Sequence, residues 1–215
     1  MNDLTYTLIS DGSSDSALMP ILDWLLRGNG VQCAIQRQWA DLRWLRRPPA
    51  GLAGRLRAAV DLFPCDLLFV HRDAEAELPA TRREEIAGAV IEAFDDLRRP
   101  AWVPVIPVRM SEAWLLFNEA AIRKAAGNPS GRSILRLPSL ARSENLPDPK
   151  NLLWNLLCEA SELSPRRRAQ LQIGPMRHRI TEYTRDFSPL RTLAAFAALE
   201  HHLKEVIATN GWDRR

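Results

Sequence analysis

Residues 66–71 read Asp-Leu-Leu-Phe-Val-His, an unbroken apolar run too short for a buried helix and lacking the alternation of a half-exposed strand. A strand buried on both faces reads this way, and such strands belong to parallel sheets covered by helices on both sides. The segments before and after the run agree. Leu4–Ser10 has strand character, and Asp11-Gly12-Ser13-Ser14-Asp15 is turn chemistry. From Ser16 to Arg27, Leu18, Ile21, Leu22, Leu25 and Leu26 fall on one helical face, and Gly28-Asn29-Gly30 ends the helix. A second strand is predicted over Val31–Trp39, a second helix over Gly51–Phe63 and a third over Thr81–Leu97. A last strand is predicted over Trp102–Val108. Its Pro104 and Pro107 lack a ladder donor, which places it at an edge or makes it irregular. Glu112–Ala126 reads as one further helix.

Alternating strands and helices predict an α/β fold: a doubly wound, Rossmann-like parallel sheet of about four strands with right-handed crossovers and helices on both faces. This core would span residues 1–126. Residues 127–149, rich in Pro, Ser, Gly and Arg, read as a long surface loop. Residues 150–215 read as wholly helical, with helices over Lys150–Leu163, Pro165–Gln172, Met176–Arg185 and Pro189–Thr209, and are expected to form an appendage packed on the core.

Composition narrows the class. The chain has 215 residues, 46% of them hydrophobic, enough for a sizeable core. The three cysteines, Cys33, Cys65 and Cys158, are odd in number and widely spaced, without disulfide or zinc spacing, and are expected to be buried free thiols. No apolar stretch approaches the ~20 residues of a membrane span, and the N-terminus has no signal-peptide pattern, so a cytoplasmic protein is expected. Net charge is only +3. Only Lys124, Lys150 and Lys204 are lysines, so arginine supplies the other 26 of 29 basic residues. Arginine suits planar, bidentate contact with phosphate, although a codon bias explains the same excess.

Ligands of a parallel sheet bind outside the C-terminal ends of the strands. Asp11, Gly12 and Asp15 follow the first strand, Asp73, Glu75 and Glu77 follow the buried one, and Glu112 follows the proline-containing one. Two carboxylates ~5 Å apart repel by about 3 kcal/mol at an effective dielectric near 20. A cluster of such groups must therefore take up protons, pair with an arginine such as Arg72 or Arg109, or bind a cation. Oxygen ligands without histidine or cysteine suit Mg2+ or Mn2+, which polarises a phosphoryl oxygen and acidifies a bound water. Asp11, Asp15, Asp73, Glu75 and Glu112 are the candidate metal ligands, and Asp11, Asp73 and Glu112 the candidate catalytic residues. Singly, each also has an ordinary role as turn, cap or solvated charge.

His71, two residues before Asp73, shares its strand face and either orients it or is an interior histidine. Basic clusters stand at Arg43-Trp44-Leu45-Arg46-Arg47, Arg166–Arg168 and Arg177–Arg179. The first has the composition of a nucleic-acid contact, where arginine tracks the backbone and tryptophan stacks on a base, or else of a solvated face with Trp44 in the core.

The acidic pattern resembles the Toprim fold of topoisomerases, primases, recombination proteins and overcoming-lysogenization-defect nucleases. That pattern carries a glutamate and glycine after the first strand and an Asp-x-Asp pair after a later buried one. Asp11-Gly12 with Asp15, and Asp73-Ala74-Glu75, stand in those places. The stretch Ser111-Glu112-Ala113-Trp114-Leu115-Leu116 is more closely similar to the Toprim-like domain-of-unknown-function 4276 family of bacteria. Asp148-Pro149-Lys150 and Ser188-Pro189-Leu190-Arg191 resemble that family's later motifs, over most of the chain. The resemblance implies a metal-dependent nuclease acting on DNA or RNA, with Lys150 and Arg191 steadying phosphate. It also implies an ATPase partner of the ABC or SMC type and a setting in defence against phage. Asp11 in place of glutamate shortens one arm by about one bond length, and Glu75 in place of aspartate lengthens another. Those departures keep two alternatives open: a catalytically degenerate subunit docked on the ATPase, and a small-molecule phosphohydrolase. A homo-oligomer is compatible with either.

Overall fold

A computed structural model describes residues 3–47 and 49–214. Four strands, β1 (Asp3–Ile9), β2 (Ala34–Trp39), β3 (Leu67–His71) and β4 (Ala101–Val105), form one all-parallel sheet in the order β2-β1-β3-β4. Every residue of β3 is buried, as its apolar run predicts. β4 is an edge strand in which Pro104 pairs in register with Val70. An edge position leaves its missing N–H facing away from the ladder. The chain leaves β1 towards β2 on one side and returns to β3 on the other, so the strand order reverses between β1 and β3. In doubly wound sheets such a switch point, at the C-terminal ends of the strands, is where ligands bind.

Alternation along the strands divides the core. Leu4, Tyr6 and Leu8 join Phe69, Val103 and Val105 on one face, covered by α1 (Met19–Gly28) and α9 (Ala194–Asn210). Ile9, Leu68 and Val70 face α2 (Gly51–Leu62) and α3 (Pro79–Ala93) on the other. Tyr6 and Phe69 meet edge to face at 5.3 Å, and the Tyr6 hydroxyl donates to Asp23. Burial, then the neighbouring Asp23 carboxylate, hold that phenol far above its usual pKa.

The expected single helix over Glu112–Ala126 is two elements. A 3-10 turn covers Ser111–Leu115, the chain breaks, and α4 spans Glu119–Ala125. Asn118 causes the restart: its side chain accepts from the Ala121 N–H at 3.0 Å, a cap that a continuous helix has no use for. Between α4 and α6 (Pro149–Ser161), residues 127–148 are irregular except for the short α5 (Leu140–Ser143). Two further helices follow, α7 (Pro165–Arg168) and α8 (Ile173–Tyr183).

The helices of residues 150–215 contribute to two different cores. Leu116 and Ile122 of the earlier segment share a core with Leu153 and Leu157 of α6 and Ile180 of α8. Phe196, Leu199 and Leu203 of α9 belong instead to the layer beneath the sheet. The three cysteines carry free thiols and are half-buried rather than fully buried. No helix among the described residues is long and apolar enough to cross a membrane.

Candidate functional site

The turn after β1 sends its two aspartates in different directions. The backbone N–H of Gly12 donates to Asp15 Oδ2 at 3.0 Å, which turns Asp15 inward, where it is 7% exposed. There it meets His71, the last residue of β3, 2% exposed, whose Nδ1 lies 3.6 Å from Asp15 Oδ2. On the other side of the ring, Nε2 lies 3.3 Å from Asp73 Oδ1. Neither ring nitrogen has a hydrogen bond of good geometry among the described residues, and Asp73 Oδ1 is buried and unpaired as well. Orphaned buried polar atoms are costly and rare, and three on adjacent groups mark this place as one not shaped for stability alone.

Arg177, on α8, closes the inner side. It is buried, and its Nη2 donates to Ser111 Oγ at 2.8 Å. Nη1 stands 3.1 Å from Glu112 Oε1, and Nη2 is 3.7 Å from Asp15 Oδ1. Glu112 is itself only 3% exposed. The guanidinium fork thus bridges acids from the ends of β1 and β4. Three of the five expected acids, Asp15, Asp73 and Glu112, are gathered round His71 and Arg177 at the C-terminal ends of the strands.

The other two are not. Asp11 has half of its side chain exposed and lies between Arg55 Nη1 and Arg72 Nε, the latter at 3.0 Å. Arg72 also pairs with Glu85 at 2.9 Å. Glu75 has left-handed backbone, φ +52, opposite Arg109 at φ +60, whose carbonyl accepts its N–H. This turn swings the Glu75 carboxylate outward; its side chain is 68% exposed, with Arg82 3.9 Å away.

The expected Mg2+ or Mn2+ does not fit these residues as they are placed. Among the described residues, no three His, Cys, Asp or Glu side chains converge so as to hold an ion. Arg55 and Arg72 hold Asp11, Arg177 holds Glu112, Glu75 points outward, and Asp15 and Asp73 lie against opposite nitrogens of one imidazole. Guanidinium groups supply the positive charge that the clustered acids require.

The two expected phosphate ligands also lie away from this cluster. Arg191 makes a bidentate pair with Glu200, at 2.8 Å to each oxygen, and stacks over Trp24 at 4.9 Å. It sits beside Gly28 at the C-terminus of α1, the end of that helix remote from the strand C-termini. Lys150 opens α6 and lines a separate groove with Trp154 and Ile173.

Nearer the site, a cleft of ≈ 190 Å³ opens between the ends of β1 and β2, lined by Asp11, Gly12, Trp39, Arg43 and Arg55 among others. His178, half-buried on α8, lies 3.2 Å from Ser16 Oγ, and burial, then Arg177, push its pKa below the usual value.

Arg55 is absent from the sequence reading, and Arg177 stands there only as part of a basic cluster, not among the acids. A signal for Arg177 existed: Ile173, Met176, Arg177, Ile180 and Thr181 follow helical spacing, which puts one arginine of the basic cluster on the inward stripe while Arg179 is exposed. No protein-family model matches the chain, and neither a curated protein nor a solved structure matches it.

Proposed function

We propose that this chain is a nuclease of Toprim-like type, which cleaves nucleic-acid phosphodiesters at the C-terminal rim of its sheet. One observation carries the reading. Asp15 and Asp73, from the ends of β1 and β3, flank a buried, unsatisfied His71, and Arg177 ties Asp15 to Glu112 from beyond β4, at the strand ends where parallel sheets bind ligands. A quarter of the Asp73 side chain reaches solvent, backed by His71 and then Asp15, so Asp73 is the member of the chain placed to exchange a proton with a substrate. Arg72 and Arg55 flank the same rim and suit a phosphate that displaces them from Asp11. The resemblance to Toprim-like proteins supplies the reaction class. No step is assigned to a divalent ion, because the acids do not form a cage for one.

The test is incubation of the purified full chain with end-labelled single-stranded DNA, duplex DNA and RNA, each in Mg2+, Mn2+ and EDTA. Cleavage of at least one substrate is expected. A chain that leaves all of them intact under every condition does not have this function.

A second reading, a degenerate subunit docked on an ABC- or SMC-type ATPase, is favoured by the pairing of Asp11 with two arginines. Co-purification with such an ATPase, without metal-dependent cleavage, would support it.

A further inference from the structure

The segment after β2 is built unlike an ordinary surface loop. Leu42 and Leu45 turn inward and pack in the α2–α3 core. Between and after them, Arg43, Trp44, Arg46 and Arg47 are exposed. Trp44 is 64% exposed, although apolar neighbours on both sides found a place in the core. An indole left in water at such a position is an unpartnered stacking face. Arg46 and Arg47 have no acidic partner within ion-pair distance among the described residues, in contrast to Arg43, which grips Asp41 at 2.7 Å. Arg43 also lies over the Trp39 ring, 5.2 Å from its centroid, and Trp39 is fixed by a 3.1 Å hydrogen bond from its indole N–H to Ser10 Oγ. Trp39, Arg43 and Arg55 line the cleft that Asp11 borders. A stacking face and two free cations thus stand on the segment whose flanking residues, Arg43 and Pro49, line the cleft beside Asp11.

We infer that this segment is a binding track for single-stranded nucleic acid, with Trp44 stacking on a base and Arg46 and Arg47 contacting phosphates. The inference rests on the proposed nuclease reading and adds to it the substrate class. A duplex keeps its bases stacked inside and offers Trp44 no face, whereas every base of a single strand has one. The track leads a strand from Trp44 past the Arg43–Trp39 stack to the cleft beside Asp11.

The experiment is fluorescence anisotropy of the full chain with labelled 15-nucleotide dT and rU strands and a 15-base-pair duplex, across a salt series. Single strands are expected to bind more tightly than the duplex. Trp44→Ala is expected to weaken single-strand binding by about 5- to 150-fold, and Trp44→Phe to restore most of it. Arg46→Ala with Arg47→Ala is expected to lower the salt slope by about 1.4. Melting temperatures of the variants show that they are folded, since these side chains are exposed. Equal affinity for duplex and single strand, or a folded Trp44→Ala that binds as the wild type does, overturns the inference. Cleavage is read in the same samples. Trp44-dependent binding without cleavage keeps the track and removes the nuclease, while cleavage insensitive to Trp44→Ala keeps the nuclease and removes the track.

Discussion

Arg177 reaches Glu112 with one terminal nitrogen, at 3.1 Å, and stands 3.7 Å from Asp15 with the other. All three side chains are buried. The acids that would gather a divalent ion are thus already sharing a cation that belongs to the fold. Removing one member of a buried ion set strands the others, at a cost of about 3–5 kcal/mol. Arg177→Met is expected to lose stability on that scale in urea unfolding, with Arg177→Lys losing less. Mn2+ is expected to raise the melting temperature of Arg177→Met more than that of the wild type. An Arg177→Met variant as stable as the wild type and indifferent to Mn2+ contradicts the role given to this side chain.

Glu75 and Asp15 are expected to differ sharply although both belong to the acidic pattern. Glu75 is swung outward by its left-handed backbone, a conformation that glycine adopts without the Cβ clash. Glu75→Gly is expected to leave cleavage unchanged and to raise stability by up to about 1 kcal/mol. Asp15→Asn is expected to impair both, because it alters the pair with Arg177 and the support of His71. Loss of activity in Glu75→Gly would return that carboxylate to the site.

Arg191 is a structural residue on this account. Arg191→Met leaves Glu200 buried with, among the described residues, Asn29 and Lys204 as its remaining polar partners, at 3.2 and 3.8 Å. A lower unfolding free energy, by about 1–3 kcal/mol, is expected, with oligonucleotide affinity unchanged in anisotropy titrations. Loss of affinity without loss of stability would restore the phosphate role that its motif implies.

His178 and His202 are both held below the ordinary histidine value of 6.5 by burial, His178 further by Arg177. The unfolded chain therefore takes up these protons more readily than the folded one. Their contribution to stability is fully present above the unfolded value and is lost as pH falls from there through the folded values. Melting temperatures taken from about pH 8 down to about pH 5 are expected to fall for the wild type and to fall less for His178→Gln with His202→Gln. Parallel profiles would contradict the assignment.

The fold was largely legible because its signals are local. The apolar run of β3, the turn at Asp11–Asp15 and the prolines of β4 each act on their own neighbourhood, and the parallel direction of the strands follows from the alternation of strands and helices. The rim was legible only by address. Sequence order puts Asp15, Asp73 and Glu112 at strand ends, but whether a carboxylate points inward depends on single backbone turns, such as the Gly12 N–H that draws Asp15 in and the positive φ that sends Glu75 out. The arginines that meet the rim acids come from α2 and α8 and stand far off in sequence, Arg55 at a separation of 44 from Asp11 and Arg177 remote from both Asp15 and Glu112, and no spacing rule reaches that far. The Asn118 cap was readable in principle, yet the helical pattern running across it from Glu112 to Ala126 concealed the break.

Asp73 is the point at which the buried chain Asp15–His71–Asp73 comes to the surface, so Asp73→Asn addresses the nuclease reading most directly. Its carboxamide keeps the size and removes the charge and the capacity to take a proton. Cleavage of a labelled oligonucleotide is expected to fall by about 10²- to 10⁴-fold, while anisotropy shows the same oligonucleotide bound as by the wild type. An Asp73→Asn chain that cleaves at the wild-type rate would place the chemistry elsewhere in the molecule.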